Sequence, residues 1–202
     1  MTNLEKFEKH LPQYLSYDAR ARLFDALDQF PENIDFRLYT QYLENEKIIF
    51  QGDGIKDVIF VVLPSKEYQV TNVIILSNSC DINPENRRNL AINVTYSPIV
   101  NLKKYKDLLE NKGLEEEKIT NHINQLKRQE ISNIFYLPEN PRIQESIVFF
   151  DRINSSDTSS LYEKDLKDSR LFTLSDYGFY LFLYKIAIHF TRIWESVERR
   201  MP

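Results

Sequence analysis

Cysteine occurs once in these 202 residues, histidine three times and glycine only four times, and each scarcity closes off a class of function. One thiol cannot build an internal disulfide framework or a cysteine-rich zinc module, and it fits a reducing compartment. Gly52-Asp53-Gly54 carries neither the dinucleotide fingerprint nor the lysine of a phosphate-binding loop. His10, His122 and His189 fall on separate predicted helices with no second ligand type at metal-site spacing, so neither metal nor cofactor is expected. A basic excess is also missing. Lys+Arg 26 against Asp+Glu 30 gives a net charge of -4 and a pI near 5.5, which removes the overall attraction to phosphate shown by nucleic-acid binders and leaves only local basic patches. The opening Met1-Thr2-Asn3-Leu4-Glu5-Lys6 has no apolar leader, and no run reaches the about 20 apolar residues of a membrane span. The expectation is a cytoplasmic protein that does not enter a membrane.

What the chain does contain is enough apolar surface for one packed core. Hydrophobic residues make up 42% and aromatics 13%, which a charged fraction of 28% does not offset. A single α+β domain over residues 1–202 is the simplest organisation. Leu4, Phe7 and Leu11 recur at helical spacing, as do Leu23, Leu27 and Phe30, with Ser16 as N-cap and Asp18 in the first turn of the second helix. Residues 34–47 are ambiguous between strand and helix. Four short, β-branched runs follow: Ile48 to Phe50, Val58 to Leu63, Val73 to Leu76 and Leu90 to Val100. Strands so closely spaced leave no room for crossover helices, so the sheet should be antiparallel. It should also be strongly bent, either an open sheet or an SH3-like barrel over about 47–153. Residues 102–131 read as a helical insertion closed midway by Gly113, and Ile134 to Leu137 and Ser146 to Ile153 as returning strands. The polar stretch 154–160 reads as a disordered loop.

Residues 175–200 give the clearest helix. Phe179, Leu183, Ile186, Phe190, Ile193 and Val197 form one apolar seam, and Tyr177, Tyr180, Leu181, Tyr184 and Ile188 a second face. Burial on two sides describes a central core helix; the sharper alternative is a homodimer interface.

Chemistry concentrates in Ser77-Asn78-Ser79-Cys80-Asp81, where an apolar strand ends by presenting a thiol, a carboxylate, an amide and two hydroxyls. Cys80 and Asp81 are the catalytic candidates. The cations nearest in sequence, Arg87 and Arg88, sit across a predicted hairpin turn and can stabilise a thiolate, whereas Asp81 opposes ionisation and no histidine lies in the segment to act as base. A packed thiol beside an Asx-type turn is the plainer reading. Ser77, Asn78, Arg87, Arg88, Arg170 and Arg192 are the ligand-binding candidates; Arg170 and Arg192 either bind an anion or form ordinary ion pairs.

Gly54-Ile55 leading into Val58 to Pro64, then Val73-Ile74-Ile75-Leu76-Ser77-Asn78, then Ser97-Pro98-Ile99, resemble in their order the strand landmarks of the MazF/PemK-type toxins; the likeness spans Gly54 to Leu102. Ser77 to Ile82 also resembles the Ser-x-x-Cys-Asp-Ile string of a group of poorly characterised bacterial proteins, a likeness that extends to Arg170 and Leu174-Ser175. The first resemblance implies a small SH3-like barrel and contact with RNA or a partner protein. Long helical flanks, the acidic balance and the Cys80-Asp81 pair depart from the toxin pattern. The functional expectation is a non-catalytic binding or accessory module of a bacterial toxin-like or defence system. A cysteine-dependent enzyme using Cys80 and a MazF-like RNA-binding or RNA-cleaving protein are the alternatives.

Overall fold

The structure is a computed structural model and describes residues 17–32, 34–86, 89–163 and 165–191. The predicted helix around Leu4 to Leu11, the Ser16 cap and the end of the last helix from Arg192 onward lie outside them. The chain divides into two compact units, 1–33 and 34–202. Within the first, helix α1 (Tyr17–Asp28) forms as its Leu23/Leu27 spacing predicts, with Asp18 in the first turn.

The second unit is α+β, built on an eight-stranded sheet whose pairs are all antiparallel. Its strands are β1 (Tyr39–Thr40), β2 (Gly54–Val62), β3 (Glu67–Ile75), β4 (Asn93–Asn101), β5 (Ile134–Leu137), β6 (Ser146–Phe149), β7 (Asn154–Asp157) and β8 (Arg170–Leu174). The order is β1-β8-β2-β3-β4-β6-β5, with β7 also on β4. The sheet is open, yet it curls at two places where side chains span what strands do not. Asn154, the first residue of β7, accepts from the Val61 N–H (2.7 Å) and donates to the Val61 carbonyl (3.1 Å), and the Tyr96 hydroxyl donates to the Ile59 carbonyl (2.8 Å). The Tyr39 hydroxyl donates to the Pro138 carbonyl (2.7 Å), which brings β1 to the end of β5.

Two expectations from the sequence are corrected, each by where the main-chain groups find partners. Ile48-Ile49-Phe50 form no strand, because side chains take their main-chain groups: the Ile48 carbonyl accepts from Arg170 Nη2, Ile49 N–H donates to the Tyr162 hydroxyl (3.1 Å), and Phe50 N–H donates to Asp53 Oδ2 (3.0 Å). Residues 154–160 are not a loop but β7 and a helical turn, α5 (Ser159–Tyr162). Polar as it is, this stretch finds main-chain partners along Asn93–Tyr96 of β4. The ambiguous 34–47 segment resolves into a 3-10 turn (Phe36–Leu38) and β1.

Short α2 (Ser79–Ile82) follows β3, and α3 (Leu102–Asn111) and α4 (Glu116–Lys127) form the helical insertion. Their apolar positions, Leu102 and Leu126, pack with Ile134, Tyr136, Ile147 and Phe149. A second cluster, inside the curl of β2, β3 and β4, gathers Ile55, Val58, Phe60, Val73, Ile75, Val94 and Tyr96 with Leu161 of α5 and Leu166 of α6 (Leu166–Ser169). Each such side chain contributes about 1.5–3 kcal/mol on burial.

Helix α7 (Asp176–Thr191) buries Tyr177, Tyr180, Leu181 and Phe182, the last against Phe135 and Phe150 at ring-centroid distances of 5.3 and 5.8 Å. Of the two faces expected to be buried, the second is the deeper at Tyr177, Tyr180 and Leu181, although its Tyr184 is exposed; of the first, Phe179, Leu183 and Ile186 are only half-buried and Phe190 is exposed. Two features fix the position of the helix. Gly178 lets the first turn meet the 3-10 turn: a Cβ there would lie 2.2 Å from the Leu38 carbonyl oxygen. Lys185 is buried and donates through Nζ to the carbonyls of Gln129 (2.7 Å) and Ile131 (2.5 Å), while burial lowers its pKa to about 8.

Gly178→Ala should therefore lower stability by about 1–3 kcal/mol in urea unfolding, because main chain cannot yield as a side chain does. For Lys185, the unfolded chain keeps a proton that the native state releases between pH of about 8 and 10.5. Stability relative to Lys185→Met should rise across that window in denaturation curves taken at stepped pH.

Candidate functional site

The Cys80 corner forms where the sequence places it. Asn78 caps α2 by accepting from the Cys80 N–H (2.9 Å), and the Cys80 carbonyl accepts from Asn86 Nδ2. Ser77 Oγ accepts from Thr95 N–H (2.7 Å), and Ser79 Oγ from Gln51 N–H (2.8 Å). These polar groups hold the chain as it leaves β3. The thiol is exposed and unpaired in any disulfide. Ser77, Asn78 and Asp81 line one side of a hollow of about 550 Å³ closed by residues 89–93. Arg87, Arg88 and Arg192 lie outside the described residues. Among the described residues, no three His, Cys, Asp or Glu side chains gather as a metal site.

Arg170 lies in the interior. At 3% exposure it donates through Nε to Asp53 Oδ2 (3.0 Å), itself fully buried, through Nη1 to the carbonyls of Leu43 (3.0 Å), Glu44 (3.2 Å) and Glu46 (2.9 Å), and through Nη2 to Ile48. One guanidinium thus fixes the whole 43–48 segment. Burial pushes the Asp53 carboxyl up to about 6, against the opposing pull of Arg170. Asp53 Oδ1 and the nearby Thr173 hydroxyl are both buried without a hydrogen bond of ordinary geometry. Asp53 escaped the sequence reading, although a carboxylate between two glycines in an apolar stretch was its signal.

Beside this pair opens a cleft of about 780 Å³, between residues 36–44, the turn at 139–142 and β8. Its aromatic side is made by Phe36, Tyr39 and Phe172. Tyr39 and Phe172 lie 5.0 Å apart between centroids, because Tyr39 pairs with Leu174 and so stands diagonal to Phe172 on the same face. Phe172 occupies space that a Cβ on Gly54 would fill, at 2.4 Å. Phe36 is 75% exposed. The opposite wall is polar. Asn140 Oδ1 accepts from Arg142 N–H (2.8 Å) and Ile143 N–H (3.1 Å), which closes the turn, and its buried Nδ2 sits beside the Tyr39 phenol without a hydrogen bond of ordinary geometry. Arg142 donates through Nη1 to the carbonyls of Arg170 (2.5 Å) and Lys167 (3.0 Å) and through Nη2 to Glu44 (3.4 Å). Burial raises the Tyr39 phenol, so it stays protonated as a donor.

A cavity of this size, with an aromatic side and a few fixed polar groups, suits a planar, ring-bearing ligand or side chain. No protein-family model and no curated protein matches the chain. Of the residues singled out in the sequence that lie among the described ones, only Arg170 borders this cleft. Phe36, Tyr39, Asn140, Arg142 and Phe172 were not separable from core and turn residues until the fold brought them together.

Asp53→Asn leaves the Arg170 charge buried without its counterion and should cost about 3–5 kcal/mol in chemical denaturation. Adding Arg170→Met should not recover that loss, because it removes the buried charge but also strips the carbonyls of Leu43, Glu44, Glu46 and Ile48 of their donor.

Proposed function

We propose that this chain is a non-catalytic binding module, an accessory component of a bacterial toxin-like or defence system, which holds its ligand in the aromatic cleft. The observation that carries the reading is the cleft itself: about 780 Å³, one side formed by Phe36, Tyr39 and Phe172, the other by polar groups of Glu44, Glu139, Asn140 and Arg142. Such a lining orients a bound ring without supplying a nucleophile and base in mutual contact. The main buried ions support the same reading. Arg170, Asp53 and Lys185 are tied to main-chain atoms and so serve to hold the fold. The resemblance of Gly54 to Leu102 to the toxin barrel supplies the biological context.

Phe36→Ala tests the cleft, because an exposed ring can be removed without disturbing the core. In saturation-transfer NMR against a library of planar aromatic fragments, binders of the wild type should weaken by about tenfold, the loss of one ring contact worth about 1.4 kcal/mol, with the melting temperature unchanged. Fragments indifferent to Phe36→Ala would reject the cleft. Turnover of RNA or of an acyl substrate by the wild type that vanishes in Cys80→Ala would reject the non-catalytic assignment.

A further inference from the structure

β3 runs for nine residues, yet only Val73–Ile75 pair with β4. Beyond that point the two strands part. β4 continues from Ile99 to Asn101 along β6, on the edge away from β3, while β3 stays with β2 from Glu67 onward. In an antiparallel ladder, alternate residues turn their N–H and C=O groups away from the neighbour they pair with. Among the described residues, no strand meets those groups of Glu67–Asn72 on the β4 side. Where the strands part lies a cleft of about 560 Å³, bordered by Gln69–Asn72 of β3, Ile99–Asn101 of β4 and the chain from Arg142 to Ser146.

We infer that this edge binds an extended segment of a partner polypeptide, which adds to β3 as a further strand in the gap before β4. The chemistry of the edge selects that occupant. Outward donors and acceptors recur along it every two residues, about 6.8 Å, and an extended main chain matches that repeat. Proteins usually guard an open edge with lysine, proline or a bulge. Here residues 67–72 read Glu-Tyr-Gln-Val-Thr-Asn, and Tyr68 and Val70 are 73% and 60% exposed. Their cross-strand partners Val61 and Ile59 are also exposed, so an apolar row lies ready for the side chains of an added strand. A second copy of the chain is the poorer fit. Beside the edge, Gln69–Asn72, Ile99–Asn101, Lys104 and residues 142–146 enclose about 560 Å³, room for one extended segment rather than for the hairpin of a second molecule. Glu67 and Asp57 balance Lys104 and Arg142 around the site, so the main-chain repeat rather than net charge selects the guest. This site is distinct from the aromatic cleft, with Arg142 alone bordering both.

The test is selection from a phage-displayed library of random dodecapeptides on the full chain, followed by fluorescence anisotropy with the enriched peptides. Binding should protect amides of Glu67–Asn72 in hydrogen exchange. N-methylation of alternate peptide amides should weaken binding at least about tenfold, as expected for losing two or more main-chain hydrogen bonds. Val70→Lys should weaken it comparably with the melting temperature unchanged, and Phe36→Ala should leave it intact, which separates this site from the aromatic cleft. Failure of any sequence to enrich, protection confined to other residues, or equal binding of the N-methylated peptides would overturn the assignment. So would a dimer in sedimentation that Val70→Lys dissolves, since the edge would then belong to a second copy.

Discussion

Arg170 and Asp53 meet in the interior of the second unit, and several features depend on that meeting. The guanidinium collects the carbonyls of Leu43, Glu44, Glu46 and Ile48, and the carboxylate takes the Phe50 N–H, so a segment without regular structure is held by one ion pair. Burying two charges is costly unless their remaining hydrogen-bonding capacity is filled, and here main-chain groups of the strap fill most of it. The arrangement works in both directions, because the strap needs donors and the arginine needs acceptors. Unpaired, either would be a buried polar defect.

From this anchor the aromatic cleft follows. With residues 43–48 fixed, Glu44 stands where Arg142 can reach it, and Arg142 in turn donates to the Arg170 carbonyl. The turn at 139–142 is thereby tied to β8, and Tyr39 ties it to β1 through Pro138. Three segments far apart in sequence converge on one concavity whose walls are set by hydrogen bonds to main chain. The open edge of β3 arises from a different constraint. β4 is shared between β3 at its centre and the β6 and β7 stretches along its other side, and the curl that lets Asn154 reach Val61 draws the β2–β3 hairpin away from the end of β4.

Local pattern carried far through most of this fold. Alternation and β-branching located β2, β3, β4, β5 and β6, and turn chemistry separated them. The helical period identified α1, α3, α4 and α7. It failed where side chains replaced the ladder, at Ile48–Phe50, and where a polar segment gained order from a neighbour, at Asn154–Asp157. Of the two faces of α7 it expected to be buried, it overestimated one. Phe179, Leu183 and Ile186 form the more regular seam, but the helix position is decided by the close approach at Gly178 and the buried Lys185, neither of which contributes to hydrophobic periodicity. At the site, the Cys80 corner was legible because its residues are contiguous; its hydroxyls and amide prove to hold a turn. The aromatic cleft was not legible, since an aromatic residue in the sequence looks the same whether it faces core or solvent.

The α+β class, the antiparallel pairing and the placement of most elements were readable in the local pattern of residues, because these follow from short-range propensity, side-chain period and the length of connections. Which charges are interior, which rings share a wall and which strand edge stays unpaired among the described residues emerge from the folded arrangement alone. Those outcomes depend on contacts between residues about a hundred positions apart, such as Asp53 with Arg170 and Tyr39 with Pro138. Their energies come from desolvation and geometry that no local window of residues contains.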